Sequence, residues 1–178
     1  NVAGADPDGE VGEHHRPETH LIPLMLDAVE GARPALTVYG TDYPTPDGTC
    51  IRDYVHVMDL VDAHVLGLNW LEQGKAARTF CLGTGQGFSV RQVLDQSQVI
   101  TNREVPVTYG DRRGGDAVKL VCGSDRAVNE LGWRPRRGSA QGRHPLPCGG
   151  RRRSAASPRV PARLRPRSPP EHRRRNPD

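Results

Sequence analysis

An α/β fold is predicted for the first 133 residues on three observations. Short segments rich in β-branched and aromatic residues alternate with stretches whose apolar side chains recur at helical spacing. Turns containing Gly or Pro separate these segments, as between Gly31 and Pro34 or across Gly83–Gly87. Every Trp, Phe and Tyr lies at or before Trp133, which confines the large core-forming side chains to that stretch.

The elements follow in order. The first twenty residues, with Gly, Pro and Asp and no sustained period, read as loop. Leu21, Leu24, Met25, Ala28 and Val29 then fall at helical spacing; Gly31 is placed to cap that helix and Pro34 to stop it. Residues 35–40 read as a short strand, residues 41–50 as a turn-rich loop around Pro44, Pro46 and Gly48, and residues 50–57 as an alternating strand. Asp59 is placed to cap a helix running to Leu71, with Val61, Val65 and Leu68 on one stripe and Gly74 beyond its end. Residues 79–85 read as a strand and glycine turn. Ser89 and Gln92 form a capping-box pattern at the head of a helix reaching Ile100. A strand over 105–110, a charged glycine loop over 111–116, a strand over 119–122 and a short helix from Ser124 to Gly132 complete the series.

Charge divides the chain. Residues 1–133 carry 11 basic and 19 acidic side chains, residues 134–178 carry 14 and 2, and the formal net charge of +4 describes neither part. The last 45 residues hold 9 of the 16 prolines and no aromatic, too little apolar surface to offset ordering entropy, so residues 137–178 read as a disordered Arg/Pro-rich tail. With 23 arginines against two lysines, the chain has the bias of a GC-rich gene. The tail is therefore hypothesised to be a frameshift product, an idea that a clean reading frame on resequencing would sink. No apolar run approaches the ~20 residues of a membrane span. The four cysteines, Cys50, Cys81, Cys122 and Cys148, have no close spacing or zinc-ligand pattern and read as reduced core thiols in a cytoplasmic protein.

Two stretches point to anion binding. Arg52-Asp53 follows the stiff loop 41–50 at a strand end, where the pair reads either as a local ion pair or as a guanidinium presented to phosphate oxygens. Arg112-Arg113-Gly114-Gly115-Asp116 places cations, bare backbone and one acceptor in a single loop, a set suited to a nucleotide-sugar. Other motifs carry less. Gly83–Gly87 lacks the spacing of a dinucleotide fingerprint and reads as a tight turn. Glu13, His14, His15 and Glu18 read as solvated loop residues, Asp6, Asp8 and Glu10 fail the calcium-loop pattern, and no metal site is assigned.

The segments HRPETHLIP, LTVYGTDYPTPDGTCIRDYVHVMDL, LGTGQGFSV and RRGGD together resemble the C-terminal half of the UDP-glucose 4-epimerases (UDP-galactose 4-epimerases), within the extended short-chain dehydrogenase/reductase family. The resemblance runs from Asn1 to about Pro135, and the 41–57 stretch is its most specific part. It implies an α/β, Rossmann-type epimerase fold of which residues 1–136 form the UDP-sugar-binding part. It also implies a reaction in which NAD takes a hydride from sugar C4, the 4-keto intermediate turns, and the hydride returns to the opposite face. Residue by residue, Asn1 matches an asparagine that contacts substrate near the nicotinamide, or else forms a turn. His20 and Leu21 match a segment approaching the UDP-sugar, while Thr37, Val38 and Tyr39 match the strand along the uracil. Arg52 and Arg113 match the two diphosphate-binding arginines, Asp116 an acid on the ribose hydroxyls, and Leu120 a variable position beside the sugar.

The resemblance also sets expectations about what lies elsewhere. The family's glycine-rich NAD turn, its catalytic Ser/Thr and its YxxxK pair have no match here: Tyr39, Tyr43, Tyr54 and Tyr109 are followed four residues on by Tyr43, Asp47, Met58 and Arg113. Asn1 is not an initiator, so the chain is expected to have lost its N-terminal, NAD-binding half, to carry no catalytic residue and to be inactive alone. A full-length member is expected to be a homodimer acting on UDP-glucose and UDP-galactose, with no membrane or specific nucleic-acid partner. Ala117-Val118-Lys119 replaces the family's usual proline after Gly-Asp and puts the local loop path in question. Two rival readings stand: a sibling sugar-nucleotide epimerase or dehydratase, against which the 41–50 loop argues, and a nucleic-acid binder using the basic tail. The tail lacks aromatics for base stacking, and the acidic body would repel such a ligand.

Overall fold

The computed structural model describes residues 1–137; the tail and Cys148 lie outside the described residues. The elements in order are β1 (Val2–Ala3), α1 (Leu21–Val29), β2 (Leu36–Tyr39), β3 (Ile51–Arg52), β4 (Val55–His56), α2 (Val57–Glu72), β5 (Phe88–Ser89), α3 (Val90–Thr101), β6 (Val107–Gly110), β7 (Lys119–Leu120) and a π-helical segment, Ala127–Leu131. They make an α/β arrangement of three small sheets. β1 pairs β4 and β2 pairs β6, both parallel; β3 lies between antiparallel β5 and parallel β7. The long crossover from β2 to β6 is what parallel pairing requires.

Helix α1 forms where its spacing predicts, turning Ile22, Met25 and Ala28 inward and stopping at Glu30 before Gly31. These side chains join Leu36, Val38, Tyr54, Val93, Leu94 and Val105 in the larger core. α3 carries the capping box as expected: Ser89 Oγ accepts from the Gln92 amide at 3.1 Å, and Gln92 Oε1 accepts from the Ser89 amide at 2.9 Å. The 41–50 loop folds onto the head of α3. Asp47 accepts from the Thr49 amide and hydroxyl at 2.9 and 2.7 Å and from the Ser89 hydroxyl, while Thr49 Oγ1 accepts from the Arg91 amide at 3.2 Å. Gly48 makes the loop's tight turn at φ +78°, where a Cβ would stand 2.1 Å from the Thr41 carbonyl.

Four expectations are corrected. Residues 50–57 are not one strand: the chain breaks at Asp53-Tyr54 and sends β3 and β4 to different sheets. Helix α2 starts at Val57, because His56 caps it, its Nδ1 accepting from the Met58 amide at 3.1 Å; Asp59 is fully buried instead. Residues 79–85 form no strand; the two-residue strand is Phe88–Ser89. Cys50 is a buried thiol, but Cys81 is exposed and Cys122 half-buried, so only the first is a core cysteine among the described residues. The last helix is a π-helical turn in which the Ser124 carbonyl accepts from the Val128 amide and Gly132 ends the run at φ +71°.

The smaller core holds Val55, Ala63, Ala127 and Trp133. Asp59 fastens it. Its carbonyl accepts from Trp133 Nε1 at 2.7 Å, and its carboxylate accepts from the Arg136 and Arg137 amides at 2.9 Å and from the Arg137 guanidinium at 2.8 Å. A buried carboxylate with three donors is a satisfied one. Val61, Val65 and Leu68, by contrast, lie 47–57 % exposed along α2, Val61 beside the large cleft and the other two farther along the helix. No helix is long and apolar enough to cross a membrane among the described residues.

Candidate functional site

A cleft of about 900 Å³ opens beside α1, β2 and β3. Nine of the ten sequence-assigned positions line it: Asn1, His20, Leu21, Thr37, Val38, Tyr39, Arg52, Arg113 and Asp116. The volume is of the order that drug-sized and cofactor ligands occupy. Leu120 is the exception. It pairs with Arg52 in register but is 57 % exposed and lies off the cleft wall.

The elements explain each placement. Tyr39 ends β2, held in register against Gly110 of β6, and Thr37 Oγ1 lies 3.1 Å from Thr108 Oγ1 across the same pair. Arg52 ends β3, where Nη1 donates to the Ile51 carbonyl at 2.9 Å and to the Ala117 carbonyl at 2.8 Å. Those bonds fix the fork, and Nη2 stands 3.6 Å from Asp116 Oδ1. Arg113 donates through Nε to Asp116 Oδ2 at 2.8 Å while its guanidinium lies 4.9 Å from the Tyr39 ring centre. A contact chain Tyr39–Arg113–Asp116–Arg52 thus joins β2, the 111–116 loop and β3. The Ala117–Lys119 path, in question from the sequence, is the one that supplies the Ala117 carbonyl to Arg52 and the Val118 carbonyl to the Ile51 amide.

Arg52 and Asp53 do not pair with each other. Asp53, buried, accepts from the Thr84 amide at 3.1 Å, the Thr84 hydroxyl at 2.5 Å and the Cys122 amide at 3.2 Å, so it anchors the 83–87 turn. The Asn1 amide donates to the Asp53 carbonyl at 2.9 Å. Arg112 turns away: its Nε donates to Asp42 Oδ1 at 2.6 Å and its guanidinium packs 4.2 Å from the Tyr43 ring centre. The two adjacent arginines are therefore unlike, one on the cleft and one on the loop. The sequence reading missed Tyr54 and Met58 as cleft residues; Tyr54 read as part of the strand over 50–57, and Met58 fell between that strand and the expected helix. Burial pushes the Tyr54 hydroxyl up to about 12, with Cys50 adding to the rise and Arg52 opposing it, so it stays protonated at neutral pH.

The 83–87 turn is packed at two of its three glycines, whereas a phosphate-binding turn needs open space over them. Here a Cβ at Gly83 would meet the Cys122 carbonyl at 2.2 Å, and one at Gly87 would meet Ile51 Cγ2 at 2.4 Å, so protein atoms fill that space.

The chain's likenesses accord with the cleft. Residues 1–83 match the NAD dependent epimerase/dehydratase family. A UDP-glucose 4-epimerase of Lacticaseibacillus casei is 49% identical over 135 residues, 76% of this chain and 41% of that protein. The crystal structure of the UDP-glucose 4-epimerase from Brucella ovis in complex with NAD superposes with a TM-score of 0.71 at 47% identity, covering 76% of this chain and 42% of that one. The enzyme from Bifidobacterium longum, in complex with NAD+ and UDP, gives 0.71 at 34% identity over 76% and 41%. The chain thus spans about 41% of the length of the curated relative it matches.

Proposed function

We propose that residues 1–136, of which residues 1–83 match the NAD dependent epimerase/dehydratase family, are the UDP-sugar-binding part of a UDP-glucose 4-epimerase. The observation that carries this is the chain Tyr39–Arg113–Asp116–Arg52 on one cleft wall. Two guanidiniums joined by one carboxylate form a place for a diphosphate: its oxygens take the free donors of Arg52 and Arg113, and Asp116 keeps both forks in position and accepts from ribose hydroxyls. β2 offers main-chain groups and the Tyr39 ring to uracil. Asn1, His20 and Leu21 border the sugar, and Leu120, off the wall, acts at its margin.

In the whole enzyme NAD supplies hydride exchange at sugar C4. The packing at Gly83 and Gly87 argues against the 83–87 turn as the cofactor's phosphate site; in this reading the cofactor, and the catalytic Ser/Thr, Tyr and Lys, belong to parts of the relatives' fold that this chain does not span. The outward stripe Val61–Val65–Leu68 is in this reading the face those parts cover. A cytoplasmic homodimer acting on UDP-glucose and UDP-galactose completes the proposal, and this chain alone is expected to show no turnover. Turnover of UDP-galactose by the purified chain would overturn that last point.

Calorimetric titration of the full chain with UDP tests the binding reading. Arg52→Ala and Arg113→Ala each weaken UDP by at least about tenfold, the scale of one lost charge-assisted contact. Arg112→Ala, whose guanidinium is held by Asp42, changes affinity by less than about twofold. Equal losses in all three variants, or no UDP binding by the parent chain, would overturn it.

A further inference from the structure

Among the described residues one set of mixed imidazole and carboxylate groups converges outside the arginine chain. One donor atom each of Glu13, His15 and His20 lies within 4.8 Å of the other two. The sequence placed Glu13 and His15 among solvated loop residues, and His20 at the head of a helix; folding of the first loop brings them together. The His15 and His20 rings stand edge to face with centres 5.0 Å apart, and Glu13 Oε1 is 3.3 Å from His20 Nδ1.

The site has an orienting residue. Glu18 Oε1 accepts from the Thr19 and His20 amides at 2.8 and 2.9 Å and lies 2.9 Å from His20 Nδ1. These contacts hold the Nδ1 edge of the His20 ring against Glu18. A carboxylate behind a histidine ligand is the arrangement that fixes ring and tautomer in zinc sites.

We infer that Glu13, His15 and His20 form a binding site for a divalent transition-metal ion of the zinc class, with Glu18 as the positioning residue for His20. A tetrahedral ion with bonds of about 2.0–2.2 Å sets its ligand atoms about 3.4 Å apart. From 4.8 Å, each pair closes by at most about 1.4 Å, within reach of exposed side chains, and water completes the fourth position. Glu13, Glu18 and His20 also line the large cleft, so a bound ion fastens the first loop to the head of α1 along its rim. His20 is shared with the UDP-sugar reading, but the metal site is argued from its own cluster and does not depend on that reading.

The test titrates the full, metal-free chain with Zn²⁺, and with Co²⁺ as a spectroscopic probe. One ion binds per chain, and the cobalt complex shows visible d–d bands without a thiolate charge-transfer band. His15→Ala and His20→Ala each weaken zinc at least about tenfold, and Glu18→Gln by about tenfold through loss of ring orientation. His14→Ala leaves it unchanged. Circular dichroism without metal checks that all variants fold alike. Zinc affinity indifferent to both histidine substitutions, a thiolate band abolished by Cys81→Ser or Cys122→Ser, or no binding at all would each overturn the site.

Discussion

The cleft side of the molecule and the α2 side are built from the same kinds of elements but finished to different degrees. On the cleft side, α1, β2 and α3 close over a core of ten buried residues centred on Met25 and Val93, and the 41–50 loop is tied down by side chains. On the α2 side, three buried residues gather round Trp133, held by one buried carboxylate, while the helix's apolar stripe faces outward. The difference teaches where stability and anchoring reside. The cleft rests on distributed packing, so single losses there are shared. The α2 side concentrates its cohesion in Trp133 and Asp59, so single losses there are large.

The largest effect is therefore expected at Trp133→Ala. It removes the one bulky member of the smaller core and the donor to the Asp59 carbonyl, and costs about 3–5 kcal/mol in denaturant unfolding. A cost under about 1 kcal/mol would mean that the small core contributes little. Ser89→Ala is a milder test on the cleft side. It deletes the α3 cap and one of the donors to Asp47, for about 1–2 kcal/mol. Burial works to raise the Asp47 carboxyl, but the Ser89 and Thr49 bonds overcome it and leave it below its ordinary value. Its contribution is therefore present at neutral pH and is lost as pH falls through that lowered value. The Ser89→Ala penalty should shrink in acid accordingly.

These targets were unequally legible in the sequence. Ser89 and Gln92 were readable because a capping box is local, two side chains and two amides within four residues. Arg52 and the 111–116 loop were each legible as an anion-binding candidate, but their joining into one site was readable only through resemblance: they lie on β3 and a separate loop, and Asp116 links them only after folding. Asp59 shows the opposite failure. An acid at the head of an apolar stretch satisfies the rule for a cap, yet its donors are Arg136 and Arg137, more than seventy residues away. The single strand expected over 50–57 failed for a similar reason: period-2 alternation continues through Asp53-Tyr54, while tertiary bonds from Thr84 and Cys122 to Asp53 turn the chain there. The convergence of Glu13 with His20 had no signal at all at a spacing of seven in a loop.

A pH experiment sharpens the comparison on the α2 side. Burial pushes the His56 imidazole below its ordinary value of 6.5, with Asp59 opposing and Arg137 reinforcing. As pH falls from that value the unfolded chain binds the proton first, so stability declines through the window between 6.5 and the lowered folded value, then levels off. Protonation also removes the acceptor that caps α2 at the Met58 amide. Urea midpoints of the parent chain should fall between pH 7.5 and pH 5 by more than those of His56→Gln. Parallel curves would place the cap's energy elsewhere.

The smallest effect is expected where apolar character is greatest on the surface. Leu68→Lys on the outer face of α2 exchanges a residue already 57 % exposed for one of similar helix propensity, so it should alter unfolding free energy by less than about 0.5 kcal/mol. The same change should reduce self-association in sedimentation velocity, because Val61, Val65 and Leu68 together form the stripe that a second molecule would cover. Met25→Ala gives the contrast within one experiment: fully buried in the larger core, it should cost about 2–5 kcal/mol. If Leu68→Lys instead destabilised the chain as much as Met25→Ala, residues beyond Arg137 would have to be packed on that face, and the α2 side would be as finished as the cleft. If it left stability alone but abolished association, the stripe would be an interface without an internal partner, and the asymmetry between the two sides would hold.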